Sequence, residues 1–343
     1  MARLGEFEFI ERFLRPRAAL GQAFYANPVA LGIGDDAALL PPLADGEQLA
    51  ISTDMLVEGR HYLAGGDPFC LGHKALAVNL SDLAAMGARP LGFTLSMALR
   101  RVDTAWIEPF LDGMLGLARQ ASCPLIGGDT TGLPPDGAEC MSVTVLGSVP
   151  VGGALRRDGV CEGDHVWVSG SLGDPAYAVR RGVPDPRLDM PEPRLALGLA
   201  LRGLAHAAID VSDGLSAEML HLLQSSSARH PELPPLQAIL EWTALPLGAC
   251  LVQALSQGHL QDREARLMAA AGGDDYELLF TAAPQAASAF HELGHRLGVS
   301  MTCIGHVARS NPGGDAIVWR DGSGRKIDTA TIRELKDGGF RHF

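Results

Sequence analysis

The sequence predicts two α+β domains, meeting near residue 150, rather than one doubly wound sheet. Three observations carry this. The chain has 343 residues, enough for two separate cores. Strand-like and helix-like stretches mix in both halves, and the strands are not all separated by helices. A Pro/Gly-rich segment, PVGG at residues 150–153, interrupts the pattern between the halves.

The elements follow in order. Residues 6–14 have the apolar spacing of a short amphipathic helix. QLAISTDMLV, 48–57, alternates as a strand does. Residues 68–87 read as a long helix, stopped by Gly87 and Pro90. LGFTLSMAL, 91–99, is a predicted strand. Residues 104–121 form a predicted helix with Trp106, Phe110, Met114 and Leu117 on one stripe. CMSVTVLGSV, 140–149, closes the first domain as a strand. In the second half, 165–169, 207–211 and 276–280 read as strands. Residues 193–205, 215–224 and 284–297 read as helices, and 225–235 as a surface loop.

Composition excludes several classes of function. The formal net charge of -12 leaves no basic field for nucleic acid. No apolar run approaches the ~20 residues of a membrane span, and MARLGEFEFIERFL is no signal peptide. None of the six cysteines forms a CxxC pair, and most lie in apolar segments. They are therefore expected to be buried reduced thiols in a cytoplasmic setting, with no His/Cys spacing suited to zinc.

Acidic residues recur beside glycines or at predicted strand ends. They are Asp35 and Asp36 in GIGDDAA, Asp54 in STDML, Asp82 in NLSDL, Asp129 in GGDTT, Asp210 and Asp213 in DVSDGL, and Asp274 and Asp275 in GGDDYE. Each alone is the residue type of a turn or a helix cap. Together, if the turns converge, so many carboxylates require cations to stay ionised. Oxygen donors of this type, with Ser52 and Thr53 beside Asp54, suit a hard ion such as magnesium. Magnesium shares its shell with phosphates, so phosphoryl transfer is the natural hypothesis. The usual phosphate grips are missing: there is no GxxxxGK[ST], and only three lysines exist, Lys74, Lys326 and Lys336. Arg156 and Arg157 are the candidate phosphate cations.

GIGDDAA, STDMLVEGRHY, HKALAVNLSDLAAMGARP, GGDTT, ALRRDGVCEGD, DVSDGL, GGDDYELLF and GGFRHF, in this order, resemble the thiamine-monophosphate kinase family. That family belongs to the aminoimidazole-ribonucleotide-synthetase superfamily, and the resemblance spans essentially the whole chain. It implies a mixed α/β N-terminal domain, 1–150, which binds metal and ATP and whose sheet pairs across a homodimer. It implies an α/β sandwich-like C-terminal domain, 151–343, completing the ATP and substrate site. The implied reaction is phosphorylation of thiamine monophosphate by ATP, with several Mg2+ ions. By the resemblance, Asp35, Ser52, Thr53, Asp54, Asp82, Asp129, Asp210 and Asp213 hold magnesium, and Asp54, Asp129 and Asp213 are the catalytic set. Gly128, Asp129, Arg157 and Ser212 bind ATP, and His61, Glu277 and Phe340 bind thiamine phosphate. Two alternatives stay open at this stage: another ATP-dependent synthetase of the same superfamily, and a catalytically silent nucleotide-binding protein. A selenophosphate synthetase would need an N-terminal Cys or selenocysteine with a nearby Lys, and residues 1–69 contain neither Cys nor Lys.

Overall fold

The computed structural model describes residues 10–17, 33, 38, 40–310, 313–328 and 331. These fall into two compact units, one ending at Gly152 and the other comprising Ala84–Gly87 and the residues from Gly153 on. Asp35, Asp36 and Phe340 lie outside the described residues, as does most of the helix expected over 6–14. Its end, Ile10–Leu14, is a π-helical turn.

The first unit is built on a four-stranded sheet of order β1-β4-β2-β3: β1 (Glu47–Val57), β2 (Arg89–Leu99), β3 (Leu125–Gly132) and β4 (Cys140–Pro150). β4 pairs antiparallel with β1 and β2, while β2 and β3 run parallel. Two helices serve this sheet, α1 (Pro68–Ala85) and α2 (Thr104–Gln120). They approach through two reciprocal glycines. A Cβ on Gly72 would lie 1.8 Å from the Phe110 carbonyl oxygen, and one on Gly113 would lie 2.0 Å from that of Phe69. One face of the sheet is buried, with Phe93, Leu95, Met97, Val143 and Val145. The other is exposed on β1, where Leu49, Ile51 and Met55 are 44%, 62% and 56% accessible.

The second unit is a six-stranded sheet of order β10-β7-β9-β5-β8-β6. In chain order its elements are β5 (His165–Ser169), α3 (Asp174–Arg181), α4 (Pro186–Asp189), α5 (Leu195–Leu201), β6 (Ala207–Asp210), α6 (Leu215–Arg229) and β7 (Leu236–Glu241). They continue with α7 (Ala249–Ser256), α8 (Asp262–Ala271), β8 (Leu278–Ala282), α9 (Ala287–Leu297), β9 (Met301–Arg309) and β10 (Ile317–Arg320). Side-chain alternation on β5 shows why both faces are covered. Val166 and Val168 pack with Leu215, Met219 and Leu222 of α6. Trp167 points the other way, among Phe280, Phe290 of α9 and Leu197 of α5.

Two expectations are corrected. GGDTT is not a turn but the body of β3. A strand survives there because Gly128 lies against β2, where a Cβ would meet the Leu95 oxygen at 1.9 Å. The surface loop expected from Ser225 begins later, since α6 runs on to Arg229. The hydroxyls that favour a loop are used instead to fix the helix: Ser226 takes the Val160 N–H and donates to the Arg157 carbonyl, and Ser227 takes the Leu236 N–H.

Candidate active site

Strand pairing and one helix position the acidic residues of the first unit. Ser52 and Asp54 alternate with Thr53 on β1, so they occupy the face toward α1. The Ser52 hydroxyl donates to Asp82 Oδ2 on α1 at 2.5 Å. One helical turn earlier, buried Asn79 accepts the Asp54 backbone N–H at 2.9 Å and donates to the Ala75 carbonyl. Sequence reasoning missed Asn79. Its signal was the i,i+3 spacing to Asp82 on one helix face.

Thr53 lies on the opposite face, where its hydroxyl donates to the Val143 carbonyl and accepts from Thr144. Asp129 shares that face through the register row Met55, Ser142, Ser96, Asp129. Asp54 and Asp129 therefore occupy the two edge strands, three strand spacings or about 14 Å apart along the sheet. Asp54, Asp82 and Asp129 do not form a group of ligand atoms within one metal's reach of each other in this unit. Both Asp54 and Asp129 are exposed.

His61 follows β1. Its Nδ1 accepts the Val57 N–H at 3.0 Å, which leaves the ring proton of the neutral imidazole on Nε2 as a donor. Beside this segment is a cavity of about 440 Å³, lined among others by Glu58, Tyr62, Arg100, Trp106 and Glu139. Arg100 grips Glu58 with two bonds, at 2.5 and 2.8 Å, and lowers the pKa of its carboxyl by hydrogen bonding against the opposing effect of burial.

In the second unit, Asp210 ends β6 and is buried, and Val211 to Gly214 turn into α6. This turn is locked to GGDDYE by backbone bonds. Asp274 N–H donates to the Ser212 oxygen, Tyr276 N–H to the Val211 oxygen, and Val211 N–H to the Glu277 oxygen, each at 2.8 Å. The close approach demands the glycine: a Cβ on Gly273 would stand 2.5 Å from the Ser212 oxygen. Asp274 and Tyr276 accept positive φ, 66° and 49°, to make the fit. At the helix start, Glu218 takes the Asp213 N–H at 3.2 Å and the Ser212 hydroxyl at 3.4 Å. Burial pushes the Glu218 carboxyl up to about 7; the Asp213 charge adds to this, and the N–H bond and Arg157 oppose it. Arg156 is held by Asp158 in an exposed pair at 2.8 and 2.6 Å.

The rest of GGDDYE is internal. Asp275 is buried, with both oxygens on the Gly173 N–H and Arg187 at 3.5 Å. Burial raises its pKa well above the usual carboxylate range, against the pull of Arg187 and the Gly173 N–H. Glu277, 1% exposed, receives two bonds from Arg194, at 2.7 and 2.8 Å, and one from the Ser169 hydroxyl at 2.6 Å. Arg187 reaches it at 3.4 Å. Gly170 is required here, because a Cβ would lie 2.0 Å from the Glu277 carboxylate. Arg187 and Arg194 were not singled out from the sequence, since neither lies in a Gly-flanked motif.

All six cysteines are free thiols, but only Cys123 is buried, and Cys161 is exposed. No helix among the described residues is long and apolar enough to cross a membrane.

The chain as a whole is similar to known proteins. The family described as AIR synthase related protein, N-terminal domain, matches residues 34–149. Thiamine-monophosphate kinase of Escherichia coli (strain K12) is 42% identical over 318 residues, covering 88% of this chain and 90% of that protein. The crystal structure of thiamine-monophosphate kinase from Stenotrophomonas maltophilia K279a is similar with a TM-score of 0.79 and 41% identity, over 92% of this chain and 96% of that one. A structure described as AaThiL complexed with AMPPCP and TMP matches with a TM-score of 0.69 and 25% identity, over 100% and 99% of the two chains.

Proposed function

We propose, from the premise that this chain belongs to the thiamine-monophosphate kinase family, that it transfers the γ-phosphoryl group of ATP in line to thiamine monophosphate, giving thiamine diphosphate. The chain is a kinase of that family. The observation that carries the reading for this chain is the oxygen-only donor frame of Ser52, Asp54 and Asp82, stitched to α1 by Asn79.

That donor set fits Mg2+, which takes hard oxygen ligands and keeps positions for waters and phosphates. The donors stand apart: Ser52, Asp54 and Asp82 between β1 and α1; Thr53 and Asp129 on the other face at opposite edges of the sheet; Asp210 and Asp213 in the second unit. Asp35 is proposed with them from the sequence. Separate groups favour several ions rather than one. When bound, the ions neutralise the phosphates and hold donor and acceptor in line. Asp54, Asp129 and Asp213 are proposed as the catalytic set.

The acceptor is itself a phosphate, largely ionised at neutral pH, so the chain needs no general base. Its own residues position and shield. Arg157, Ser212 and the backbone at Gly128 are assigned to ATP, with Arg157 kept available because Asp158 takes Arg156 instead. On the acceptor side we place His61, whose Nε2–H can donate to a phosphate oxygen, and Phe340, a π-face for a cationic ring. Glu277 serves that side through Arg194 and Arg187, which it holds. The exposed β1 face bearing Leu49, Ile51 and Met55 supports a homodimer in which the first unit's sheet packs against its copy.

The test is direct: ATP and thiamine monophosphate are incubated with the purified chain, with and without Mg2+. Thiamine diphosphate forming only with Mg2+ is expected. ADP appearing only with a different acceptor would move the reading to another synthetase, and no ATP turnover with any acceptor would favour a silent nucleotide-binding protein.

A further inference from the structure

A second donor set of different chemistry lies in the C-terminal unit. Cys161, Asp164 and His206 each present one ligand atom, and these atoms all lie within 4.8 Å of one another. Among the described residues this is the group of three His, Cys, Asp or Glu ligands that meets this spacing. Asp164 is buried just before β5, with Oδ2 accepting the Cys161 backbone N–H at 2.9 Å and Oδ1 2.8 Å from His206 Nδ1. The Cys161 thiol is exposed and makes only a weak contact to the Gly159 carbonyl, at 3.5 Å. His206 is also exposed and immediately precedes β6.

We propose that Cys161, Asp164 and His206 bind a borderline divalent transition ion, Zn2+, through one thiolate, one carboxylate oxygen and one imidazole nitrogen, with the fourth position left to water. Tetrahedral bonds of the usual length put donor atoms about 3.3–3.8 Å apart. Small rotations of the two exposed side chains bring the Cys161 sulfur in and open the 2.8 Å Asp164–His206 pair to that spacing, while buried Asp164 stays fixed. Sulfur and nitrogen donors distinguish this site from the oxygen-only frame that suits Mg2+. On binding, the thiol proton passes to solvent and the sulfur becomes the thiolate ligand. The site is also separate in place. His206 stands at the entry of β6 and Asp210 at its end, four residues or about 13 Å along the strand. Its occupant would clasp the 161–164 turn to β6 and so stabilise the folded chain in proportion to ion concentration.

The experiment uses the full chain, stripped with a chelator and titrated with Co2+ under excess Mg2+, without nucleotide or thiamine phosphate. The expected result is one equivalent bound with a near-ultraviolet sulfur-to-cobalt charge-transfer band, displaced by Zn2+. Cys161→Ser should lose the band, and His206→Ala should weaken binding at least about tenfold. Cys161 and His206 are exposed, and Asp164 keeps the Cys161 N–H in both variants, so both should fold, which cooperative thermal unfolding without metal would verify. No band in the unmodified chain, a band that survives Cys161→Ser, or full affinity in His206→Ala would each overturn the assignment. Because no substrate is present, the outcome is independent of the kinase reading.

Discussion

The acidic motifs of the two units look alike in sequence and behave oppositely in structure. In the first unit, Asp54 and Asp129 are exposed, on opposite edges of a sheet. In the second, Asp275 and Glu277 of GGDDYE are buried and held by arginines. The difference lies in what faces them. An exposed carboxylate at a strand edge can remain ionised with water and accept a cation later. A buried one must have its partner within the chain. GGDTT and GGDDYE therefore mark two devices, a socket for ions and an anchor for arginines, which substitution should separate.

The largest separation is expected between turnover and stability at the first device. Asp54→Asn and Asp129→Asn each remove one charge from a solvated position while keeping the side chain's shape. Thiamine diphosphate formation should fall at least about 10³-fold, the scale of losing a fixed electrostatic contact to a transferring phosphoryl group. The thermal midpoint should stay close to that of the parent. Near-normal turnover in either variant would remove that carboxylate from the catalytic set.

Glu277→Gln should show the reverse pattern in stability. The side chain is buried, and Arg194 addresses both of its oxygens. A glutamine amide would turn one donor toward guanidinium N–H groups and leave Arg194 without its buried partner, with only the exposed Glu192 carboxylate to pair with. Breaking a buried pair from one side typically costs about 3–5 kcal/mol, and denaturant unfolding would measure it. A loss below about 1 kcal/mol would show that this pair behaves like a surface one, and the contrast between the two devices would fail.

The contrast also explains what was legible in the sequence. Strands β1, β2, β4, β5 and β6 and helices α1 and α2 follow apolar periodicity, which depends only on neighbours in the chain. GGDTT misled because Gly and Thr read as a turn, whereas Gly128 is there to let β3 touch Leu95. Elements such as β7, β9 and α8 were not read; α8 nonetheless carries a capping box between Gln261 and Glu264. In the site, the acidic residues stood out because charge beside glycine is conspicuous. Asn79, Arg187 and Arg194 did not, because their roles come from partners 25 to 90 positions away, and spacing along the chain does not encode such contacts. The trio Cys161, Asp164 and His206 was hidden in the same way: sequence places His206 far from Cys161, and only the fold, in which β5 and β6 run the same way on either side of β8, brings their entries to one end of the sheet.

The smallest predicted effect tests the anchor through pH. Burial lifts the Asp275 carboxyl well above the usual range, more than Arg187 and the Gly173 N–H can lower it. Its folded pKa therefore exceeds its unfolded value of about 3.9. Such a group contributes fully to stability below the unfolded pKa, and that contribution is lost as pH rises toward the folded value. Asp275→Asn keeps an oxygen for the Gly173 N–H but cannot ionise. The stability of the parent minus that of Asp275→Asn should thus decline as pH rises above about 4, with a slope no steeper than about 1.4 kcal/mol per pH unit. Denaturant midpoints of both proteins across that range would measure it. A difference that instead grows with pH would mean that Arg187 wins over burial, making Asp275 an ionised partner like the carboxylate of an ordinary salt bridge.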